Sequence, residues 1–248
     1  MCRQTTRCFT DSPADLDRAA ELLRAGELVA IPTETVYGLA ADAENGPAVA
    51  RIFEAKGRPM DNPLIVHIAD WDTLPRLAAE IPDTAVKLAR AYWPGPLTMI
   101  FPKGPRIPDE VSAGLPTVAV RMPSHPVARA VIRESGLSLA APSANRSGSP
   151  SPTTAAHVLA DLDGRIAAVV DGGECSVGVE STVVLLTDGR VRLLRPGGVT
   201  LGMLERVVGP VEVDPAVTHR LADGAQAASP GMKYKHYAPK ARVVLVKG

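Results

Sequence analysis

Short apolar runs alternate with amphipathic stretches along most of the chain, and this pattern predicts strands and helices in turn. The first helix is marked at both ends: Ser12 and Pro13 suit its start, and Gly26 suits the position just past its last turn. Further helices are predicted near 47–55, 82–92, 126–135, 154–162 and 200–208. Apolar strands are predicted near 28–31, 64–68, 97–101, 118–121, 137–141 and 166–170.

Asp188 and Gly189 lie between two apolar runs, near 182–186 and 191–194, and predict a β-hairpin there. A hairpin in a chain whose strands and helices otherwise alternate indicates a mixed sheet with helices packed on it. The character changes after about residue 210, because residues 222–229 are small and polar, as in a linker. Residues 242–246 again have a strand pattern, which would either join the main sheet or begin another domain.

Composition narrows the class of protein. The 248 residues are 46% hydrophobic and 22% charged, as in an ordinary globular protein, with 27 basic and 27 acidic side chains. A net charge of zero argues against a protein whose main task is to coat nucleic acid. The three cysteines lack CxxC spacing, which favours free thiols in a reducing cytoplasm. We expect neither a signal peptide nor a membrane span.

No familiar nucleotide or hydrolase signature is present, so candidate chemistry rests on less common patterns. Residues 32–38 follow the first predicted buried strand directly, where open α/β sheets bind ligands. Two threonine hydroxyls, the Glu34 carboxylate and the Tyr37 phenol occur within five residues of this loop. The loop is either the wall of a site for a small polar substrate or a polar turn with a packed tyrosine.

A basic pair, Lys56 and Arg58, ends the second predicted helix with Gly57 between them. The pair could complement the helix dipole, or both side chains could leave the helix and converge on one anion such as a polyphosphate. His67 ends the following strand, where a histidine is more often structural than catalytic.

Arg121 ends a short apolar strand and shares a face with Thr117 under period-two alternation. An arginine in apolar surroundings needs an anionic partner, either an internal carboxylate or the carboxylate of a bound substrate. Ser143 and Asn145 follow another strand and offer hydroxyl and amide groups to a phosphate or a nucleobase, unless they only form a turn.

Together these motifs resemble the threonylcarbamoyl-AMP synthase family, the YrdC-like proteins, in its longer two-domain form. The motifs that carry the resemblance are collinear and span most of the chain: PTETVYGL (32–39), AKGRPMDNPLIVHI (55–68), WPGPLT (93–98), TVAVRMPSHP (117–126), APSAN (141–145), GVEST (178–182), LLRPG (193–197) and SPGMKYKHYAP (229–239).

The resemblance implies an α/β fold with a twisted, mixed but mostly parallel sheet, flanked by helices around an open cavity. It implies a catalytic domain over residues 1–210, a linker that acts as a lid over 211–240, and the first strand of a Rossmann-like domain over 241–248. The implied reaction joins L-threonine, bicarbonate and ATP into threonylcarbamoyl-AMP and pyrophosphate. The product would pass to a tRNA threonylcarbamoyl transferase.

The family's site residues carry over position by position. For L-threonine they are Thr35, His67, Arg121, Ala141 and Ser181. For ATP they are Lys56, Arg58, Asn62, Thr117, Ser143, Asn145, Ser151 and Arg195, with Lys233, Tyr234, His236 and Tyr237 from the linker. Lys56, Arg58 and Arg121 are the expected catalytic residues, because they bring positive charge to the reacting groups.

The resemblance also leads us to expect Mg²⁺ with the triphosphate, although no acidic cage is visible and we assign no metal ligands. Two alternatives stay open at this point. One is a carbamoyl-adenylating enzyme with another acceptor. The other is a double-stranded RNA-binding module, although the neutral charge predicts weak tRNA binding at most.

Overall fold

The computed structural model describes residues 5–187 and 189–217. The strands are β1 (Arg7–Phe9), β2 (Val29–Ile31), β3 (Gly38–Asp42), β4 (Ile65–His67), β5 (Leu97–Pro102), β6 (Thr117–Arg121), β7 (Leu139–Ala140), β8 (Ala168–Val170), β9 (Thr182–Thr187), β10 (Arg190–Arg195) and β11 (Glu212–Val213). The helices are α1 (Pro13–Arg24), α2 (Gly46–Lys56), α3 (Leu74–Leu77), α4 (Asp83–Tyr92), α5 (Asp109–Ser112), α6 (Pro126–Ser135), α7 (Ala155–Leu162) and α8 (Leu201–Val208). Short 3₁₀ turns cover Trp71–Thr73 and Pro215–Val217.

Helix ends follow the local signals in the sequence. The Ser12 side chain accepts a hydrogen bond from the amide of Asp15 at the start of α1, as an N-cap should. Helix α6 covers the predicted residues and ends at Gly136, whose φ of 69° is in the left-handed region that favours glycine. No helix within the described ranges is long and apolar enough to cross a membrane.

The strands form one sheet in the order β1-β8-β2-β3-β7-β4-β6-β5-β9-β10-β11. This confirms the predicted mixed sheet. The sheet contains more antiparallel strand pairs than we expected of a mostly parallel sheet. Three consecutive joins at its centre, β2–β3, β3–β7 and β7–β4, are antiparallel. The additional antiparallel pairs involve β3, a short run of small residues for which no strand was predicted.

Helices cover the two faces of the sheet unequally. Helices α1 and α6 pack on one face beside β1, β2, β3, β7 and β8, whereas α2, α4, α7 and α8 contribute to the larger core on the other face. Further along the first face, a small apolar cluster contains only strand residues: Ile65, Ile100, Ala119, Val183 and Leu194, with Leu185 beside it. The described helices therefore leave this half of the face for a cleft.

The last described residues return to the main sheet. Helix α8 packs on α4, and β11 lies parallel to β10. The predicted linker begins at residue 211, so its first residues include this strand. The predicted lid residues Lys233, Tyr234, His236 and Tyr237, and the predicted strand over 241–248, lie outside the described residues. The division into domains stays a prediction.

Candidate active site

A cleft that is continuous with solvent lies on the open half of the sheet face. Residues from β4 and β6, from the loops around β3 and β7, and from the start and end of the β9–β10 hairpin line it: Thr33, Thr35, Val36, Gly38, Arg58, Ile65, His67, Arg121, Ala141, Pro142, Ser143, Glu180, Ser181 and Arg195. All five residues that the sequence analysis assigned to L-threonine are in this set. Of the eight described ATP candidates, Arg58, Ser143 and Arg195 are in it.

Arg121 lies at the end of β6 beside His67 of β4, since the two residues are register partners in the parallel pair. Its guanidinium is almost fully buried and has three contacts. Nε donates to the carbonyl of Gly95 at 3.2 Å, and Nη1 donates to Oγ1 of Thr35 at 2.8 Å. Nη2 lies 2.6 Å from Oε1 of Glu34 in a buried ion pair. The anionic partner that the sequence required is therefore present within the chain.

The Thr35 hydroxyl belongs to a buried hydrogen-bond network. The Thr33 hydroxyl donates to the carbonyl of Val36 at 2.6 Å and accepts from the amides of Thr35 and Val36, each at 3.2 Å. The two threonine hydroxyl oxygens lie 2.9 Å apart, and Thr35 Oγ1 accepts from Arg121 at 2.8 Å. These contacts hold the Thr35 side chain at the wall of the cleft.

His67 is buried, and its Nδ1 lies 3.3 Å from the carbonyl of Ile65. Burial, reinforced by the charge of Arg121, lowers the pKa of His67 to about 3 from its ordinary value of 6.5. The imidazole is consequently neutral near pH 7. It can shape the cleft and offer a hydrogen bond, but it does not add a positive charge.

Lys56 does not face the cleft. Its ammonium is buried at the end of α2 and donates to the carbonyls of Ser143 and Asn145, the latter at 2.5 Å. Burial, with the charge of Arg58, lowers the pKa of Lys56 well below its ordinary value. The structure does bring residues 56–58 and residues 143–145 together. The contact is made by Lys56, which anchors the 143–145 loop. The expected convergence of Lys56 and Arg58 on one anion is not seen.

Gly57 separates the two basic side chains. Its φ of 60° and ψ of 38° place it in the left-handed conformation that ends α2. The chain turns there, so Arg58 leaves the helix and its guanidinium lines the cleft. One end of that guanidinium donates to the carbonyls of Asn62 and Pro63, at 3.2 and 3.1 Å.

The other ATP candidates lie at varying distances from the cleft. Asn145 is buried and its amide donates to the carbonyls of Arg146 and Ser149, so it stabilises the loop. Asn62 is also buried outside the lining. Ser151 contacts the lining through Glu180, to which its hydroxyl donates at 2.6 Å. Thr117 begins β6 and lies roughly 13 Å along the strand from Arg121.

Arg195 and Ser181 meet where the β9–β10 hairpin begins and ends. Arg195 Nη2 donates to the carbonyl of Ser181 at 2.9 Å, and the Ser181 hydroxyl lies 2.7 Å from that of Thr98. The close approach requires Gly197. A Cβ on this residue would lie 2.3 Å from the carbonyl oxygen of Glu180 and 2.5 Å from the backbone of Ser181 and Thr182.

Several lining or supporting residues were not among the site residues that the family resemblance implied. Thr33, Val36 and Glu180 line the cleft, and Thr33 and Tyr37 belong to the loop that was predicted as a possible wall of a substrate site. Tyr37 supports it from behind: its hydroxyl donates to the carbonyl of Gly173 at 2.7 Å, and burial raises its pKa to about 12. The sequence could have indicated these four residues, because they occur within the family motifs at 32–39 and 178–182. Which side chain of a motif faces a cavity depends on β3, which was not predicted.

Two protein-family models together match most of this chain. Residues 21–197 match the protein-family model Sua5_yciO_yrdC, described as "Telomere recombination". Residues 199–248 match the model of the threonylcarbamoyl-AMP synthase C-terminal domain. Threonylcarbamoyl-AMP synthase of Pyrococcus abyssi is 55% identical over 93% of this chain and 67% of its own length. The Bacillus subtilis enzyme is 53% identical over 99% and 72%.

Among solved structures, the crystal structure of Pyrococcus abyssi Sua5 complexed with L-threonine superposes with a TM-score of 0.91. It is 51% identical, over 95% of this chain and 69% of that one. The fold and the site therefore define an α/β enzyme whose cleft lies on an open face of the sheet. The chain belongs to the Sua5–YrdC family of threonylcarbamoyl-AMP synthases. Such enzymes are transferases that use ATP and serve tRNA modification, as the sequence motifs predicted.

Proposed function

We propose that the cleft binds L-threonine and ATP side by side, and that the chain condenses them with bicarbonate into threonylcarbamoyl-AMP and pyrophosphate. The threonine amine would take up the carbon of bicarbonate with loss of water, and the resulting carbamate oxygen would attack the α-phosphorus of ATP. The bond from that phosphorus to the bridging oxygen then breaks, and pyrophosphate leaves. The observation that carries the proposal is that all five threonine candidates line one cleft together with Arg58, Ser143 and Arg195.

The threonine end follows from charge and from position in the cleft. Arg121 offers the remaining N–H groups of its guanidinium to the substrate carboxylate. The Thr35 hydroxyl lines the cleft beside Arg121 and would contact the amine end of the same substrate. Neutral His67 lies beside both without repelling the amine end.

The nucleotide end needs positive charge around the leaving pyrophosphate and no protein nucleophile. Arg58 and Arg195 provide that charge in the lining. In this proposal Lys56, Asn62 and Asn145 act indirectly, because they stabilise the loops that present Arg58 and Ser143. Ser151 orients Glu180, and Thr117 has a supporting place at most.

Mg²⁺ with the triphosphate fits the donors that are present. The described residues contain no group of three or more His, Cys, Asp and Glu side chains that could hold a metal. Mg²⁺ often binds through substrate phosphates and one or two carboxylates, and Glu180 is an acidic side chain in the lining. When bound, the ion would neutralise phosphate charge, while Arg58 and Arg195 orient the same group.

We further propose that the enzyme works in the cytoplasm and passes its product to a tRNA threonylcarbamoyl transferase. A neutral net charge supports product transfer between proteins over tight binding of tRNA by this chain.

The test is pyrophosphate release with ATP, L-threonine and bicarbonate, each omitted in turn under carbon-dioxide-free conditions. We expect release only when all three are present. L-Serine and L-valine in place of threonine test for another acceptor. Serine retains the hydroxyl of threonine, and valine retains its branched shape. Release that persists without threonine or without bicarbonate would overturn the proposal.

A further inference from the structure

Glu34 has a buried carboxylate that the mechanism above does not use. It immediately precedes Thr35, but it does not line the cleft. Its side chain is 6% exposed and that of Arg121 is 4% exposed, with 2.6 Å between Oε1 and Nη2. A buried ion pair is in general a weak source of stability, because desolvation offsets the attraction. The pair therefore calls for another explanation.

The carboxylate is held by more than its partner. The amide of Ser124, in the loop between β6 and α6, donates to Oε2 of Glu34 at 3.1 Å. The amide of Val177 donates to the backbone carbonyl of Glu34 at 2.8 Å. Contacts from two separate segments, residues 121–124 and the loop at Val177, thus fix the position of Glu34 and, through it, the position of the guanidinium.

Arg121 has five N–H donors. Its hydrogen bonds with described residues use the Nε donor for Gly95 and one Nη1 donor for Thr35. Nη2 lies 2.6 Å from Oε1 of Glu34 in an ion pair whose N–H groups are not aligned on that oxygen. Each terminal nitrogen therefore keeps at least one N–H for another partner. Two such donors match the two oxygens of a carboxylate. The internal carboxylate and a substrate carboxylate are therefore compatible partners of the same arginine.

We infer that Glu34 is a positioning residue for recognition of the substrate carboxylate: it holds Arg121 from behind so that the remaining N–H pair faces the cleft. This rests on the proposed function, in which Arg121 binds the threonine carboxylate. Glu34 itself contacts no substrate. Its effect is on the orientation of Arg121 and on the charge balance of the buried pair.

The variant Glu34→Gln tests this role. A glutamine has one acceptor oxygen where Arg121 Nη2 and the Ser124 amide need two, so one contact is lost and the guanidinium is free to turn. We expect the Kd for L-threonine to rise about 10- to 100-fold, with ATP affinity changed less than about threefold. L-Threoninamide, which lacks the carboxylate, should bind both proteins equally, because only carboxylate recognition is affected.

Glu27→Gln is the matched control. Glu27 forms an ion pair of the same 2.6 Å length with Arg51, but on the surface, with side chains 32% and 44% exposed. It should leave threonine affinity unchanged. Calorimetric titration gives the affinities, and circular dichroism checks that each variant is folded. Should Glu34→Gln fail to fold, Glu34→Asp carries the same test, because it keeps the charge but is shorter by one methylene.

The outcomes separate the two proposals. If wild-type protein does not bind L-threonine, the proposed function fails. If it does, and a folded Glu34 variant binds threonine as tightly as wild type, the positioning role fails. Equal losses for threonine and threoninamide would show a general structural role and would also overturn it.

Discussion

Replacement of Lys56 by methionine separates an anchoring role from a direct contact with phosphate. Methionine keeps most of the length and the apolar character of the lysine stem, and removes the ammonium. In the folded protein that ammonium donates to the carbonyls of Ser143 and Asn145 and lies 3.4 Å from the Asn145 side-chain oxygen. The residue itself is 4% exposed.

The magnitude follows from what is left behind. Two buried carbonyls lose their donor, and each unsatisfied group costs about 1–3 kcal/mol. Removal of a buried charge offsets part of this, and the lowered pKa of Lys56 has that same burial as its main cause. We expect a net loss of about 2–4 kcal/mol in the free energy of unfolding. For a chain of this size that corresponds to a fall in Tm of roughly 5–15 °C.

The assay pairs calorimetric melting with the KM for ATP in pyrophosphate release. Because Ser143 lines the cleft and its loop is tied to Lys56, we expect a raised KM for ATP together with the lower Tm. Arg58→Met is the control, since Arg58 itself lines the cleft. It should impair turnover by orders of magnitude with a smaller loss of Tm.

Lys56→Met with an unchanged Tm and a large loss of ATP affinity would refute the reasoning. Such a result would mean that Lys56 contacts the nucleotide directly, and that its carbonyl contacts contribute little to the loop.

Two further predictions concern the neighbouring strands. Because the folded pKa of His67, about 3, is below its ordinary 6.5, its contribution to stability is complete above about pH 6.5 and is lost as the pH falls toward 3. Urea unfolding should therefore show that wild type loses about 3 kcal/mol more free energy of unfolding than His67→Gln between pH 7 and pH 4. Equal pH dependence of the two proteins would contradict the lowered pKa. Gly197→Ala should displace residues 180–182, lower the Tm and raise the KM for threonine roughly tenfold or more, because its Cβ meets backbone at 2.3 Å. Gly202→Ala in α8, where nothing lies within 4 Å, should instead stabilise by about 0.5–1 kcal/mol, and equal effects of the two changes would rule out the clash.

The candidate site was predictable where a family motif identifies a residue and the fold brings it to one face. His67 and Arg121 end adjacent strands in register, so their proximity follows once β4 and β6 pair. The direction of a side chain was harder to predict. Lys56 and Arg58 are two residues apart, yet Gly57 turns the chain between them, and one side chain is buried while the other lines the cleft.

Sequence patterns predicted most of the long elements and missed the short ones. Helix α6 has a proline at its start, a glycine after its end and a strong apolar face, so its bounds were clear. Strand β3 consists mainly of small residues, and β1 is partly exposed, so neither shows the alternation or the apolar run that marks a strand. Both depend on pairing with strands distant in the chain.

The return of α8 and β11 to the main sheet has a practical consequence for shortened versions of this enzyme. The two family matches meet between residues 197 and 199, which invites a cut there. Yet β11 lies along β10, with Glu212 between Arg190 and Arg192, and the amide of Asp214 donates to the carbonyl of Leu193. A protein that stopped at residue 198 would leave the outer edge of β10 without this partner, and unpaired strand edges promote aggregation. The junction between the two sequence families is therefore a poor place to divide the molecule for expression.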